Sequence, residues 1–324
     1  KRAARQERRE EAGRPPPANP NLPVVEYVTN AHTLDALAEN ILAVIVPTRR
    51  FFRFEHGAVY VHKGRGPILL DERNLPGILA AYLELAMLHD GEEGRVFHGY
   101  EALPLNLSRA LVHNPRFRSK LPVLTAYVRS PVFDLRWNLV ATFGWHEPSG
   151  IFYDGPEVRP RPGDAAVRAA IDGFAWKEEA DRVNLAGALL TMLTISHWTR
   201  GHPFLAINGN KPGVGKSTLA RVLAAIVEGQ PPPTISYVAN DEEFEKQIAT
   251  RIEAGDRVLI VDNAKATTAI SSPVLERCIT DTRLSFRRLG SNTAISRPQN
   301  DVLFVLTMNM TQLGPDLRRR ALPL

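Results

Sequence analysis

Sulfur is nearly absent from the reactive groups of this sequence. Cys278 is its only cysteine, which excludes a disulfide framework and a cysteine-based zinc site and suits a reducing compartment. Long apolar runs are missing as well. No stretch approaches the length of a membrane-spanning helix, and the N-terminus lacks the apolar segment of a signal peptide. The expectation is a cytoplasmic protein with no membrane partner. The nine histidines show no metal-ligand spacing such as H-E-x-x-H, so they read as surface or hydrogen-bonded core residues. From Arg283 to Arg320 negative charge is scarce: Arg283, Arg287, Arg288, Arg297, Arg318, Arg319 and Arg320 stand against Asp301 and Asp316 alone. That surplus matches the formal net charge of +5 of the whole chain, and a local basic cluster of this kind suits a polyanion partner.

A length of 324 residues leaves room for two domains and a sizeable core. The hydrophobic share of 44% and charged share of 23% are ordinary for a globular protein. The first residue is Lys1 and not Met, which reads as a piece of a longer chain. Residues 1–23 read as a basic, proline-rich linker, with a charged run up to Glu11 and then Pro15-Pro16-Pro17. Residues 24–158 read as a smaller accessory domain of mixed α+β type. Apolar spacing predicts a helix from Leu34 to Ile45 and a second from Leu75 to Leu88. Phe51 to Phe54 and Ala58 to Val61 predict a hairpin around His56-Gly57, and short β-like runs separated by turns fill Pro131 to Asp154. No catalytic constellation is legible there.

Arg159-Pro160-Arg161-Pro162-Gly163, followed by Asp164 where a helix cap belongs, marks the boundary to a second domain, 159–324. Helices are expected from Ala165 to Thr199. Strands and helices then alternate: strands at Phe204–Ile207, Thr234–Val238, Val258–Val261 and Val302–Thr307, helices at Lys216–Val227, Asp241–Ala254 and Pro273–Thr280. That order predicts an α/β core with a parallel sheet covered by helices.

The loop Asn210-Lys211-Pro212-Gly213-Val214-Gly215-Lys216-Ser217 fills the P-loop frame G-x-x-x-x-G-K-[ST] except at its first position, where Asn210 replaces glycine beside Gly209. The residue tolerates a left-handed backbone, so the turn can survive. Small residues let backbone N–H groups surround a phosphate, a role for Asn210, Gly213, Val214, Gly215 and Thr218; Pro212, which has no N–H, is a further candidate contact of the same loop. Lys216 reaches the β- and γ-phosphates, and the Ser217 hydroxyl binds magnesium. Asp262 ends the apolar run Val258–Val261, which puts a carboxylate at the edge of a buried strand to hold the same ion. ATP and Mg2+ are the cofactors this pattern calls for. Asn263 can hydrogen-bond a water but cannot accept its proton. Asn309, after the strand Val302–Thr307, can contact the γ-phosphate or that water. Arg320, after Arg318 and Arg319, can stabilise γ-phosphate charge in a neighbouring subunit; a DNA contact or a solvated basic turn is the other reading of these three arginines. Residues 283–297 read as a hairpin with Gly290-Ser291-Asn292 at its tip. Arg287, Arg288, Ser291 and Asn292 are its candidate nucleic-acid contacts.

These parts, in the order Gly-Val-Gly-Lys-Ser-Thr, Val-Leu-Ile-Val-Asp-Asn, Arg-Arg-Leu-Gly-Ser-Asn-Thr, Thr-Met-Asn and Asp-Leu-Arg-Arg-Arg, resemble the P-loop AAA+ core of superfamily 3-like replicative helicases. The resemblance is closest to those attached to primase or primase-polymerase modules in phages, plasmids and mobile elements. It covers roughly residues 160–324, more loosely 115–155, and the family's part beyond Leu324 is not in the chain. The Asp262-Asn263 pair and the absent first glycine are similar to habits of that subgroup. The resemblance implies ATP bound between subunits of a homo-oligomeric ring, expected to be a hexamer, which moves on single-stranded or forked DNA using the hairpin. It also implies a primase or primase-polymerase module upstream, in a bacterial or phage-infected host cell. The function expected is an ATP-dependent DNA helicase or translocase. An ATP-driven protein remodeller, or a nucleotide-regulated DNA-binding module with little hydrolysis, stands as the alternative.

Overall fold

The structure is a computed structural model that describes residues 15–28, 34–54, 57–91, 94–159, 161–198, 200–211, 213–265, 269–287, 294–297 and 299–324. Pro212, Arg288, Ser291 and Asn292, and most of the N-terminal linker, lie outside the described residues. The chain divides into two compact units, Lys1–Leu124 and Thr125–Leu324.

The first unit runs β1 (Val24–Val28), α1 (Leu34–Ile45), β2 (Phe51–Phe54), β3 (Gly57–His62), β4 (Gly66–Leu69), α2 (Leu75–Leu79), β5 (Glu84–Gly91), β6 (Gly94–Glu101), α3 (Leu105–His113) and α4 (Pro115–Lys120). It holds two sheets, β1-β5-β6 and β2-β3-β4. Helix α1 buries Leu37, Ala38, Ile41, Leu42 and Ile45, one helical stripe, in a core with Phe51, Leu75, Leu85 and Phe117. The helix expected from Leu75 to Leu88 is corrected: it stops at Leu79, and Glu84–Gly91 is the central strand of its sheet. Leu85, Ala86, Met87 and Leu88 are all buried, so this short apolar run carries no period. Strand pairing on both sides overrides the helix preference of Leu, Ala and Met. The end of the expected linker is also tied down, because Glu84 accepts hydrogen bonds from the backbone N–H groups of Ala18 and Asn19.

In the second unit short strands come first: β7 (Ala126–Val128), β8 (Val132–Phe133), β9 (Leu139–Val140), β10 (Gly144–His146) and β11 (Ile151–Tyr153). Then follow α5 (Ala165–Asp172), α6 (Glu179–Thr194), β12 (Phe204–Gly209), α7 (Lys216–Glu228), β13 (Ile235–Ser236), α8 (Asp241–Glu253), β14 (Val258–Ala264), β15 (Ala269–Ile270) and α9 (Pro273–Thr280). The chain ends with β16 (Leu284–Arg287), β17 (Ala294–Arg297), β18 (Leu303–Asn309), β19 (Gln312–Leu313), α10 (Pro315–Arg318) and β20 (Ala321–Pro323). Asp164 precedes α5 as expected, but its carboxylate pairs with Arg168 and makes no cap. The 158/159 boundary falls inside this unit. Residues 125–158 are held to the rest of it by Arg129 on Asp256, by Arg257 on Ser130 at 3.1 Å and by Ser196 on the Phe133 carbonyl at 2.8 Å.

The main sheet has five parallel strands in the order β13-β14-β18-β12-β20. Its strands are continuous apolar runs because both faces are covered. Leu205, Ile207, Val258, Ile260, Leu303 and Val305 pack with α6 and α7. Phe204, Ala206, Leu259, Val261, Phe304 and Leu306, one residue out of step, pack with α8 and α9. Helix α8 starts on Asn240, which accepts from the Glu243 N–H, and α9 on Ser272, which accepts from the Leu275 N–H.

A buried ionic cluster secures the edge where the sheet strands begin. Glu228, at the end of α7, accepts from the backbone N–H groups of Arg257 (2.6 Å) and Val258 (2.8 Å). Arg257 is 3% exposed and pairs with Asp301 at 3.5 Å; Arg297 pairs with the same carboxylate at 2.7 Å. Burial pushes the Arg257 guanidinium below its ordinary range, against the pull of Asp301 and Glu228. Arg297 also donates to the carbonyls of Ile252 and Asp256, so it fastens the base of the β16–β17 hairpin and is not part of the exposed basic cluster. Asp301→Asn leaves two inward guanidinium groups short of a counter-charge, and the expected loss is about 3 kcal/mol or more. Urea unfolding measures it; a wild-type midpoint would contradict the cluster's role.

Candidate functional site

Strand parity sets the site. In β12 the α7-facing residues are Leu205, Ile207 and then Gly209; in β14 they are Val258, Ile260 and then Asp262; in β18 they are Leu303, Val305 and then Thr307 and Asn309. The apolar residues pack under α7, and the polar ones emerge where the strands end, beside its N-terminus. Gly213 (φ +80°) and Gly215 (φ +88°) take left-handed backbone that only glycine adopts freely. Asn210 does not: its φ is not positive, so replacing the first glycine of the frame costs nothing in backbone strain. Gly209 leaves room for the lysine. A Cβ there would lie 2.8 Å from Lys216 Nζ and 2.9 Å from its Cδ, so the lysine stem lies directly on the glycine. Lys216 Nζ donates to the Lys211 carbonyl at 3.0 Å, folded back over the loop. Helix α7 has no side-chain cap at its start. Val214 and Thr218 are exposed beside it. An uncapped helix start next to a lysine and two left-handed glycines is a concentration of positive potential suited to phosphate.

Between Val261 and Ala264 the register of β14 against β18 shifts, so Asp262 and Asn263 together stand opposite Thr307. This is a β-bulge, and Asn263 sits in it at φ +55°. Thr307 closes it: its hydroxyl accepts from the Asn263 N–H at 2.8 Å and donates to Asp262 Oδ1 at 2.6 Å. Ser217 Oγ donates to that same oxygen at 2.6 Å. Burial pushes the Asp262 carboxyl up, but the Ser217 and Thr307 hydroxyls, the Arg221 charge and the Asn263 N–H outweigh it and hold the pKa below the usual carboxylate value. Asn309 Nδ2 donates to Asn263 Oδ1 at 3.0 Å, while Asn309 Oδ1 is buried with no partner. Among the described residues no group of three or more His, Cys, Asp or Glu could hold a metal ion unaided. A hydroxyl and one carboxylate are the protein ligands on offer.

Ser217, Asp262, Asn263 and Asn309 therefore meet in one hydrogen-bonded set, with Lys216 beside it. Arg320 does not join them. Its carbonyl accepts from the Phe204 N–H at the opposite end of β12, about 16 Å from Gly209 at the usual strand rise. Its guanidinium donates to the Asp316 carbonyl at 2.8 Å; Arg319 pairs with the Asp316 carboxylate at 2.8 Å, and Arg318 is exposed. In the hairpin Arg283, Ser285 and Arg287 are exposed and Leu284 and Phe286 buried, a two-faced strand with its basic side outward. Thr307 and Arg221 are the residues that sequence reasoning missed. A threonine interrupting the run Leu303–Leu306 on the Asp262 face was the available signal. No family model matches the chain, and no curated protein matches it.

Thr307→Val keeps the shape and removes the hydroxyl. It strands the Asn263 N–H and takes a donor from Asp262, at an expected cost of about 1–3 kcal/mol near neutral pH. Because the folded Asp262 pKa is lowered, the stability it contributes is present above the unfolded value and is lost as pH falls through the folded one. The gap between wild type and Thr307→Val should narrow over that descent, and Thr307→Ser should stay close to wild type. Denaturant unfolding at several pH values measures this; a gap independent of pH would contradict the assignment.

Proposed function

We propose that the second unit is a P-loop ATPase of the AAA+ superfamily 3-like helicase type, preceded by an accessory domain. In this reading it turns over ATP to drive movement on single-stranded or forked DNA, as a homo-oligomeric ring in the replication of a mobile element. The observation that carries the reading is the Ser217–Asp262 hydrogen bond of 2.6 Å. It joins the start of the helix behind a glycine-lysine loop to a carboxylate at the end of a parallel strand, the pair of ligands a nucleotide-bound magnesium needs. Magnesium, when bound, supplies charge that offsets the charge on the transferring phosphoryl group. The loop amides and Lys216, released from the Lys211 carbonyl, bind the phosphates. Asn309 Oδ1, buried and unpartnered, accepts from the attacking water, and Asn263 holds Asn309 in place. No carboxylate stands at 263 to take the proton, but phosphoryl transfer rests mostly on positioning and charge stabilisation. Arg320 lies at the other end of β12 from its own chain's loop, which suits a role at a neighbour's γ-phosphate.

A second reading, a nucleotide-regulated DNA-binding module with little hydrolysis, is favoured by Asn263 itself, since its side-chain oxygen is already engaged by Asn309. Turnover with and without single-stranded DNA separates the two. The ATPase reading expects DNA-stimulated turnover that Lys216→Ala abolishes. Arg320→Ala should cost about 10³-fold or more, and mixing it with Lys216→Ala subunits should restore part of the activity, because one interface then holds an intact Lys216 and an intact Arg320. ATP binding without measurable turnover would favour the second reading. Wild-type turnover in Lys216→Ala would contradict both.

A further inference from the structure

The turn between β8 and β9 is more ordered than its length requires. Asp134 is buried, and its carboxylate accepts from the N–H groups of Arg136 (2.8 Å) and Asn138 (2.8 Å) and from the Asn138 side chain (3.0 Å). Two backbone bonds, Asp134 N–H to the Asn138 carbonyl and Trp137 N–H to the Asp134 carbonyl, both 2.9 Å, close the turn. The result is a rigid knuckle that holds Trp137 at φ +64°, a left-handed conformation unfavourable for a bulky side chain. That cost is not repaid by burial. Trp137 is 59% exposed and Leu135 beside it 75% exposed. One face of the indole lies on His197, with ring centroids 3.7 Å apart and planes 10° from parallel. The stack leaves His197 Nε2 buried and without a partner. The indole is thus held flat by a ring beneath it, and much of its surface stays in water.

Two arginines lie near it in sequence, with Asp134 turned into the knuckle. Arg136 and Arg200 are exposed nearby in sequence, and neither 135–146 nor 195–203 contains an acidic residue. The stack is joined to the base of the β16–β17 hairpin. Ser196, next to His197, donates to the Phe133 carbonyl of β8, and its own carbonyl accepts from Gln299, two residues past β17. An aromatic plane with two arginines near it in sequence, linked through Ser196 and Gln299 to the base of a basic hairpin, supplies the parts of a single-strand binding groove: cations for the backbone, a ring for a base.

We propose that the Trp137–His197 stack is a platform for one unpaired base of a single-stranded nucleic acid, whose backbone runs on toward the hairpin. The inference rests on the nucleic-acid partner proposed above and adds a site to it. The test is a binding titration of the full chain with labelled thymidine and uridine oligonucleotides and with duplex DNA. Trp137→Ala should weaken single-strand binding about ten- to a hundredfold, the range seen when a stacked aromatic is removed. Trp137→Phe should recover most of it, since a smaller ring still stacks. The salt slope of Trp137→Ala should match wild type, because no phosphate contact is lost, whereas Arg287→Ala should lower it. Duplex binding should be unchanged in Trp137→Ala. Tighter binding of either oligonucleotide supports the platform and identifies the strand it prefers. Wild-type affinity in Trp137→Ala while Arg287→Ala weakens binding overturns the platform and leaves the partner standing. Equal losses for single strand and duplex, or a Trp137→Phe as weak as Trp137→Ala, overturn it as well. No binding of any oligonucleotide by wild type removes the partner together with the platform.

Discussion

One carboxylate oxygen organises the site. Asp262 Oδ1 accepts from Ser217 and from Thr307, each at 2.6 Å, and so ties together the start of α7 and the ends of β14 and β18. These are three separate stretches of chain, and nothing but a parallel sheet with a helix laid over it brings them to one point. The bulge depends on the same arrangement. Asn263 is squeezed out of register opposite Thr307, and the threonine hydroxyl takes the N–H that the ladder would otherwise leave unpaired. Asn309 then reaches Asn263 across the gap. Ser217, Thr307 and Asn263 are thus placed by bonds that converge on Asp262 and Thr307, while Lys216 lies over Gly209.

Strand β14 carries two kinds of chemistry at its two ends. Where it ends, Asp262 and Asn263 meet the glycine loop. Where it begins, Arg257 is buried against Asp301 and Ser130, and Arg297 ties the hairpin base to the carbonyl of Asp256. The strand between is apolar and fully packed on both faces, from Val258 to Val261. The hairpin and the Trp137 knuckle are anchored at the beginning edge and the glycine-lysine loop at the ending edge, so the two stand at opposite ends of β14.

Much of this was legible in the sequence, for identifiable reasons. Strands β12, β14 and β18 were readable because each is a short apolar run bounded by glycine or polar residues, β13 is shorter than its expected span, the edge strand Ala321–Pro323 was not foreseen, and α9 runs over the expected Pro273–Thr280 behind Ser272. The glycine-lysine loop stood out because Gly213, Gly215, Lys216 and Ser217 fall in one frame between a strand and a helix. Other parts were not. The strand Glu84–Gly91 looked helical because Leu, Ala and Met carry no period when every one of them is buried. Thr307 was passed over as the end of a strand because its partners, Asp262 and Asn263, sit in a register shift of the neighbouring strand. Arg297 shows the opposite failure: it counted as exposed positive charge by composition, yet its guanidinium is turned inward onto Asp301.

The central claim is that Lys216, Ser217 and Asp262 hold a magnesium nucleotide. Equilibrium binding of a non-hydrolysable ATP analogue, with and without magnesium, tests it most directly. The account predicts saturable binding by wild type that tightens with magnesium, loss of that tightening in Ser217→Ala, and loss of binding in Lys216→Ala. Binding indifferent to magnesium in wild type, or retained at full strength in Lys216→Ala, would contradict it.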